Sequence, residues 1–257
     1  MEASPFEFKE GRPGAVALQA SEVWLVVPTY NEALNLEPIV LAAREHLPSG
    51  SRILVVDDNS PDGTGQVADR LARESEDMEV LHRSEKEGLG PAYVAGFRHV
   101  LAEGAGLVIQ MDADFSHDPA DIPRLLEAAE LADVVLGSRY VPGGGVPHWG
   151  PLRRAMSRGG SAWARRMLGL PYRDLTGGFK VLRREVLQAI HLDSMASHGY
   201  AFQVELTYRA ARAGFRIEEV PIQFHDRLVG KSKMSGRIVL EAAIGVPRMR
   251  LRRAADE

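Results

Sequence analysis

The 257-residue chain contains no cysteine, which excludes disulfides and thiol chemistry and fits a reducing compartment. It lacks any apolar run approaching the ~18 residues needed to span a bilayer. Its start, Glu2 to Gly14, is acidic and carries Pro and Gly, without the basic opening and apolar core of a signal peptide. Residues 1–20 are therefore expected to form a disordered tail. No Gly-x-Gly-x-x-Gly follows the first apolar run, and Gly88-Leu89-Gly90 lacks a third glycine, which argues against a nicotinamide-dinucleotide enzyme. Residues 227–232 end like a phosphate-binding P-loop, but His225 stands where its first glycine is required. The eight histidines show no metal-ligand spacing, and few aromatics interleave with the arginines, so no nucleic acid partner is expected.

What is present is ordinary in bulk and lopsided in charge. A 45% hydrophobic and 26% charged composition is that of a globular protein able to bury a full core. Residues 1–137 hold 10 Lys/Arg against 25 Asp/Glu, whereas residues 138–257 hold 21 against 10, and the net charge is −4. An acidic half that holds a cation beside a basic half that attracts anions suits chemistry on phosphorylated substrates at a membrane surface; two ordinary solvated faces would give the same numbers.

Short β-branched runs (Val23–Pro28, Arg52–Asp57, Glu79–Leu81, Leu107–Met111, Asp133–Gly137) alternate with helical patterns near 34–46, 64–74, 90–103 and 119–130. This rhythm predicts an α/β fold with a mostly parallel sheet covered by helices on both faces. Ligands in such sheets bind beyond the carboxyl ends of the strands. Four apolar runs end in conspicuous polar residues: Pro28 to Glu32, Asp57 to Ser60, Asp112-Ala113-Asp114, and Ser138-Arg139-Tyr140. In Asp-Ala-Asp, acids two apart on a strand end can point the same way, and two like charges held close call for a shared cation. Oxygen-only ligands favour Mg²⁺ or Mn²⁺ completed by substrate phosphates. The alternative is a pair of acids leading into the helix start at Ser116-His117-Asp118-Pro119.

Beyond Tyr140 the pattern changes. Val141–Pro151 holds four Gly and three Pro and is expected to be a flexible loop. A basic helix over 152–168, a Gly turn at 176–179, a helix near 200–213 and a strand near 216–221 follow. The segment 236–257 reads as an apolar-then-basic tail, either a membrane-surface element or a last packed helix.

The ordered blocks Val-Val-Pro-Thr-Tyr-Asn-Glu (26–32), Val-Val-Asp-Asp-Asn-Ser-Pro-Asp-Gly-Thr (55–64), Met-Asp-Ala-Asp (111–114) and Gly-Ser-Arg-Tyr (137–140) resemble the inverting GT-A glycosyltransferases of family 2. The chain is similar, more narrowly, to the polyprenol-phosphate (dolichol-phosphate) mannose synthases. That likeness extends to Arg153-x-x-x-Ser157-Arg158-Gly159, Thr176-Gly177-Gly178-Phe179, Gly199-Tyr200-x-Phe202-Gln203-x-Glu205 and Arg227-x-x-Gly230-x-Ser232-Lys233. The resemblance implies a Rossmann-like GT-A domain over 21–235. It also implies a metal-dependent enzyme that moves mannose from GDP-mannose to a polyprenyl phosphate with inversion. Pro28, Tyr30, Glu32, Asp58, Asp112, Ala113 and Asp114 then hold the nucleotide sugar, and Asp112 and Asp114 the metal. Arg139, Arg153 and Ser157 hold the acceptor phosphate, with Asp114 and Arg139 catalytic, and Arg227 and Lys233 close over the donor diphosphate. Close relatives often carry Gln two residues after the second acid, where this chain has Ser116.

The bland readings of these residues are an acid on a helix dipole for Glu32, an Asx-turn for Asp57 and Asp58, with Asp57 the more structural of the two, and a packed ring for Tyr30. For Arg139 it is a structural ion pair. Without a spanning helix, the enzyme is expected at the cytoplasmic face of the membrane, held by its tail or by a membrane-anchoring partner protein. A UDP-glucose or UDP-N-acetylhexosamine transferase is the alternative; a nucleotide-sugar nucleotidyltransferase or a non-catalytic subunit fits less well.

Overall fold

A computed structural model describes residues 22–195, 199–226, 245–247 and 249–250. Arg227, Lys233, the N-terminal tail and most of the C-terminal tail lie outside the described residues. The elements are β1 (Val23–Thr29), α1 (Leu36–His46), β2 (Arg52–Asp57), α2 (Thr64–Arg73), β3 (Met78–His82), α3 (Leu89–Ala102) and β4 (Leu107–Gln110). After these come α4 (Ile122–Ala128), β5 (Val134–Ser138), α5 (Pro151–Leu168), β6 (Lys180–Arg183), α6 (Arg184–Ala189), α7 (Gly199–Arg212) and β7 (Ile217–Pro221).

The seven strands lie in the order β3-β2-β1-β4-β6-β5-β7. All point the same way except β6, which runs antiparallel to both β4 and β5. The sheet's two faces carry separate cores. Trp24, Val26, Leu54, Val56 and Val108 pack with α3 and α7 residues such as Tyr93, Phe97 and Phe202. Leu25, Val27, Ile53, Val55 and Ile109 pack with Leu36, Ile39, Leu71 and Leu125 of α1, α2 and α4. Burial on both faces is why β1 reads as a continuous apolar run rather than an alternating one. Helix α3 lies so close to the sheet that a Cβ at Gly96 would sit 2.7 Å from Val26.

Structure and expectation differ in detail at three places. Strand β6 and helix α6 were not anticipated: Lys180–Arg183 is a short run following the Gly turn, and a lysine at its head hides its strand character. The helix expected over 119–130 is split into a 3₁₀ turn at Pro119–Asp121, capped by the Asp118 carboxylate accepting from the Ala120 amide at 2.9 Å, and α4. Pro123 in the first turn of α4 explains the break, since it cannot donate to an earlier carbonyl. The loop is irregular over 141–150, while Pro151 already opens α5, and it is tied down at Gly145, which donates to Ile222 and accepts from Phe224 through the backbone. A Cβ at Gly144 would lie 2.4 Å from the Ser138 carbonyl, so glycine is what lets the loop close onto β5.

Candidate active site

Because β1, β2, β4 and β5 are parallel, their polar ends share one edge of the sheet. At three of these ends the chain turns through a non-glycine residue with positive φ: Asn31 (58°), Asn59 (58°) and Phe115 (60°). Asn tolerates this region; for a bulky Phe it is a strained conformation of the kind that collects at functional sites.

At the end of β1, Pro28 is buried, and Tyr30 is half-buried with the Lys86 ammonium 3.6 Å from its ring centroid. Glu32 is also half-buried; its carboxylate accepts from Asn35 Nδ2 at 2.8 Å, and its amide donates to Thr64 Oγ1 at 2.9 Å. At the end of β2 the two acids differ. Asp57 accepts from the Ser60 amide and hydroxyl, the Asx-turn reading. Asp58, also buried, pairs with Arg83 and accepts from the amides of Glu87 (3.3 Å) and Gly88 (2.8 Å).

Strand β4 ends at Gln110, so Asp112 and Asp114 sit in an irregular turn and the alternating-face argument does not apply to them. The Asp112 amide donates to His117 Nδ1 at 3.3 Å instead of to a neighbouring strand, and Tyr93 Oη donates to Asp112 Oδ1 at 3.0 Å. Asp114 is buried and accepts from the Ser116 amide at 3.0 Å, which gives Ser116 a turn-closing role; Ala113 is buried between the acids. Burial lowers the pKa of His117, partly opposed by the charges of Asp112 and Asp114. Burial and then the Asp112 charge raise that of Tyr93 well above its usual value, so the phenol stays a donor.

Two carboxylates are the right donor chemistry for a hard cation. Gly178 faces Asp112, and a Cβ on it would sit 3.2 Å from Asp112 Oδ2, so a side chain there would crowd that oxygen. Among the described residues no group of three or more His, Cys, Asp or Glu could hold a metal. A cation here would take its other ligands from substrate and water.

The fourth strand end carries Arg139, 4% exposed. Its Nε and Nη2 donate to the two Asp174 carboxylate oxygens at 2.7 Å each, and Nη2 also donates to Thr176 Oγ1. The rings of Tyr140 and Phe224, each 5.2 Å away, and Trp149 at 5.9 Å surround the guanidinium. Burial would raise the Asp174 pKa, but the charge and hydrogen bonds of Arg139 prevail and hold it below the usual range. Tyr140 Oη meets Ser157 Oγ of α5 at 2.6 Å, joining strand end to helix. Arg153, exposed, pairs with Asp226 at 2.6 Å and lies over the Trp149 ring at 3.9 Å; Trp149 Nε1 donates to the same Asp226 oxygen. The structure thus brings Asp58, Asp112, Asp114 and Arg139 to one sheet edge and places Arg153 and Ser157 on α5 beside it.

Tyr93, Asp174, Gly178 and Asp226 shape this edge without having been singled out. Tyr93 and Asp174 are far in sequence from what they touch, and nothing local marks them. Gly178 lay inside a noted turn whose purpose needed the facing carboxylate.

Comparison with known proteins places this geometry. Residues 24–190 match the Glycosyl transferase family 2 model. An undecaprenyl-phosphate mannosyltransferase from Micrococcus luteus is 50% identical over 226 residues, covering 88% of this chain and 93% of the relative. A polyprenol monophosphomannose synthase from Mycolicibacterium smegmatis is 44% identical over 248 residues, covering 96% and 93%. In fold, the chain superposes on the Mycobacterium tuberculosis glucosyl-3-phosphoglycerate synthase complex with Mn²⁺, UDP and phosphoglyceric acid. The TM-score is 0.68 at 18% identity, covering 96% of this chain and 87% of the other. It also superposes on a Pyrobaculum calidifontis mannosyltransferase bound to GDP-Man and Mn²⁺, with TM-score 0.60, 18% identity and coverage of 96% and 68%. A GT-A-type mixed sheet, acidic turns gathered at its carboxyl edge and matches over most of the chain lead to one conclusion: the chain belongs to glycosyl transferase family 2.

Proposed function

We propose that the protein transfers mannose from GDP-mannose to the phosphate of a polyprenyl phosphate, with inversion at the anomeric carbon. The observation that carries this reading is the near-full-length similarity, at 50% and 44% identity, to two enzymes named for that sugar and that lipid class. The acceptor phosphate has its second pKa near ~6, so its oxygen is anionic at neutral pH and attacks without a general base. The C–O bond to the donor diphosphate breaks as the new bond forms on the opposite face, giving polyprenyl-phosphate-mannose and GDP.

In this reading Tyr30, Glu32 and Asp58 receive the nucleoside, aided by Pro28 beneath it. Asp112 and Asp114, with Ala113 between them, would hold Mg²⁺ or Mn²⁺, which supplies charge stabilisation for the leaving diphosphate. Arg153 and Ser157 meet the acceptor phosphate, and Arg is suited to bidentate contact with it. The Arg139 charge is already matched by Asp174, so it fixes the acceptor side, whereas exposed Arg153 can exchange Asp226 for phosphate. Arg227 and Lys233 are proposed to close over the diphosphate.

Membrane contact falls to α5. Leu152 (74% exposed), Met156 (56%) and Trp163 (39%) form one stripe on a helix that carries five arginines and no acid. Such a helix lies in the interface of an anionic bilayer, and it brings Ser157 and Arg153 to the lipid headgroup level. No helix among the described residues is long and apolar enough to cross a membrane.

The test is incubation with radiolabelled GDP-mannose, UDP-glucose or UDP-N-acetylglucosamine and a polyprenyl phosphate, with and without Mg²⁺ or Mn²⁺. Lipid-extractable label from GDP-mannose, dependent on the cation, supports the reading. Label from a UDP-sugar alone replaces the donor, and lipid label from none of the three contradicts the reading.

A further inference from the structure

One contact to the acidic turn comes from an unexpected direction. Tyr93 stands on α3, within the core on one face of the sheet, and is wholly buried. Its ring is stacked against Phe97 (centroids 5.6 Å) and lies parallel to Phe202 of α7 (5.9 Å, 1° between planes). Gly96, one turn along, lets α3 approach the sheet closely enough for this ring to reach the end of β4. The phenol has little freedom to move, and its hydroxyl donates to Asp112 Oδ1 at 3.0 Å. The other oxygen, Oδ2, borders Gly178, where a Cβ would lie 3.2 Å away. The two oxygens of this carboxylate therefore have different neighbours: Oδ1 is tied to the core phenol, and Oδ2 faces the backbone of Gly178.

We propose that Tyr93 is a positioning residue that makes Asp112 a one-oxygen ligand and so selects small octahedral cations, Mg²⁺ and Mn²⁺, over Ca²⁺. The inference rests on the reading of Asp112 as a cation ligand given above. Ca²⁺ takes six to eight oxygens at longer distances and commonly claims both oxygens of a carboxylate, whereas Mg²⁺ demands near-ideal octahedral geometry with single-oxygen contacts. Bidentate binding needs Asp112 to rotate about its Cβ–Cγ bond until both oxygens face the ion. That rotation breaks the bond to a phenol that cannot follow, because Phe97 and Phe202 hold its ring. Groups that orient a metal ligand in this way typically change metal affinity by about 10- to 100-fold when removed.

The experiment uses the full chain and reads cation binding rather than turnover. Free Mn²⁺ is titrated by electron paramagnetic resonance in the presence of GDP, then displaced with Ca²⁺, for the unsubstituted chain, Tyr93→Phe and Gly178→Ala. Tyr93→Phe loses one hydroxyl and keeps the ring stack, and a urea melt checks its fold. The expected result for Tyr93→Phe is Mn²⁺ affinity weakened about 10-fold or more and displacement by Ca²⁺ at a lower Ca²⁺-to-Mn²⁺ ratio. Gly178→Ala crowds Oδ2 and should weaken both ions with little change in their ratio. A folded Tyr93→Phe with unchanged affinity and unchanged ratio overturns the proposal, as does a fall in stability alone. An equal change of ratio in Gly178→Ala also overturns it, since crowding would then explain the selectivity. If the unsubstituted chain binds no Mn²⁺ in the presence of GDP, the cation reading of Asp112 itself fails, and Tyr93 is left with a packing role.

Discussion

The acidic edge formed by the ends of β1, β2 and β4 and the basic rim formed by β5 and α5 are built on opposite plans. On the acidic edge Asp58 and Asp114 are buried and Asp112 partly so, and backbone amides or a caged phenol fix each carboxylate. On the rim, α5 leaves Leu152, Met156 and Trp163 in the open, and Arg153 has an exposed carboxylate as its ion-pair partner. Arg139 is the exception that marks the boundary: basic like the rim, buried like the edge. Preorganised charge suits a diphosphate whose position must be exact to within a fraction of an ångström, and an exchangeable surface suits a lipid that arrives from a membrane.

The largest effect that would break this comparison is at its boundary. Asp174→Ala leaves the Arg139 charge buried without its bidentate partner, and a loss of about 3–5 kcal/mol in urea-melt stability is expected. The corresponding rim change, Asp226→Ala, should alter stability by less than about 1 kcal/mol. Equal losses would mean that edge and rim are not built differently.

A second effect follows from Lys180, wholly buried at the head of β6, where it donates to the Gln203 carbonyl (2.8 Å) and Thr207 Oγ1 (3.1 Å). Burial pushes its pKa down to about 7, from 10.5. Between these values the unfolded chain holds a proton that the folded chain has released, so stability rises with pH across this window and is flat below it on this account. Relative to Lys180→Met, the slope should reach at most about 1.4 kcal/mol per pH unit. Parallel pH profiles for the two proteins would show that the amine is not buried as described.

On the rim, replacing Leu152, Met156 and Trp163 with Ser should cut binding to anionic vesicles by about 10-fold or more, at roughly 1.5–3 kcal/mol per fully buried apolar side chain. Unchanged vesicle binding would move the membrane contact elsewhere, to the C-terminal tail or a partner. The smallest effect is Asp226→Asn, which frees Arg153 from a competing carboxylate. The acceptor KM should fall by a few-fold, about the worth of a surface ion pair, with the donor KM unmoved.

How much of this was legible depended on the range of the interaction. Strands β1, β2 and β4 announce themselves because burial on both faces demands continuous apolar runs, and the polar blocks after them stand out against those runs. The acids at 58, 112 and 114 were visible for that reason. Strand β6 was not, because Lys180 at its head is solvated in the core by α7 groups that local sequence does not pair with it. The Asp112–Tyr93 and Arg139–Asp174 contacts join residues 19 and 35 positions apart, and only the chain's three-dimensional path makes them neighbours. Asp57 and Asp58, adjacent and identical, were separable only in outline. Their roles diverge because one faces Ser60 and the other the Glu87–Gly88 turn.

The most direct measurement of the division between edge and rim is bisubstrate kinetics with GDP-mannose and a short-chain polyprenyl phosphate on Asp58→Asn and Arg153→Ala. Asp58→Asn should raise the KM for the donor and leave that for the acceptor in place, and Arg153→Ala should do the reverse. If both substitutions raise the same KM, the two edges do not serve separate substrates, and the assignment of donor to one and acceptor to the other is wrong.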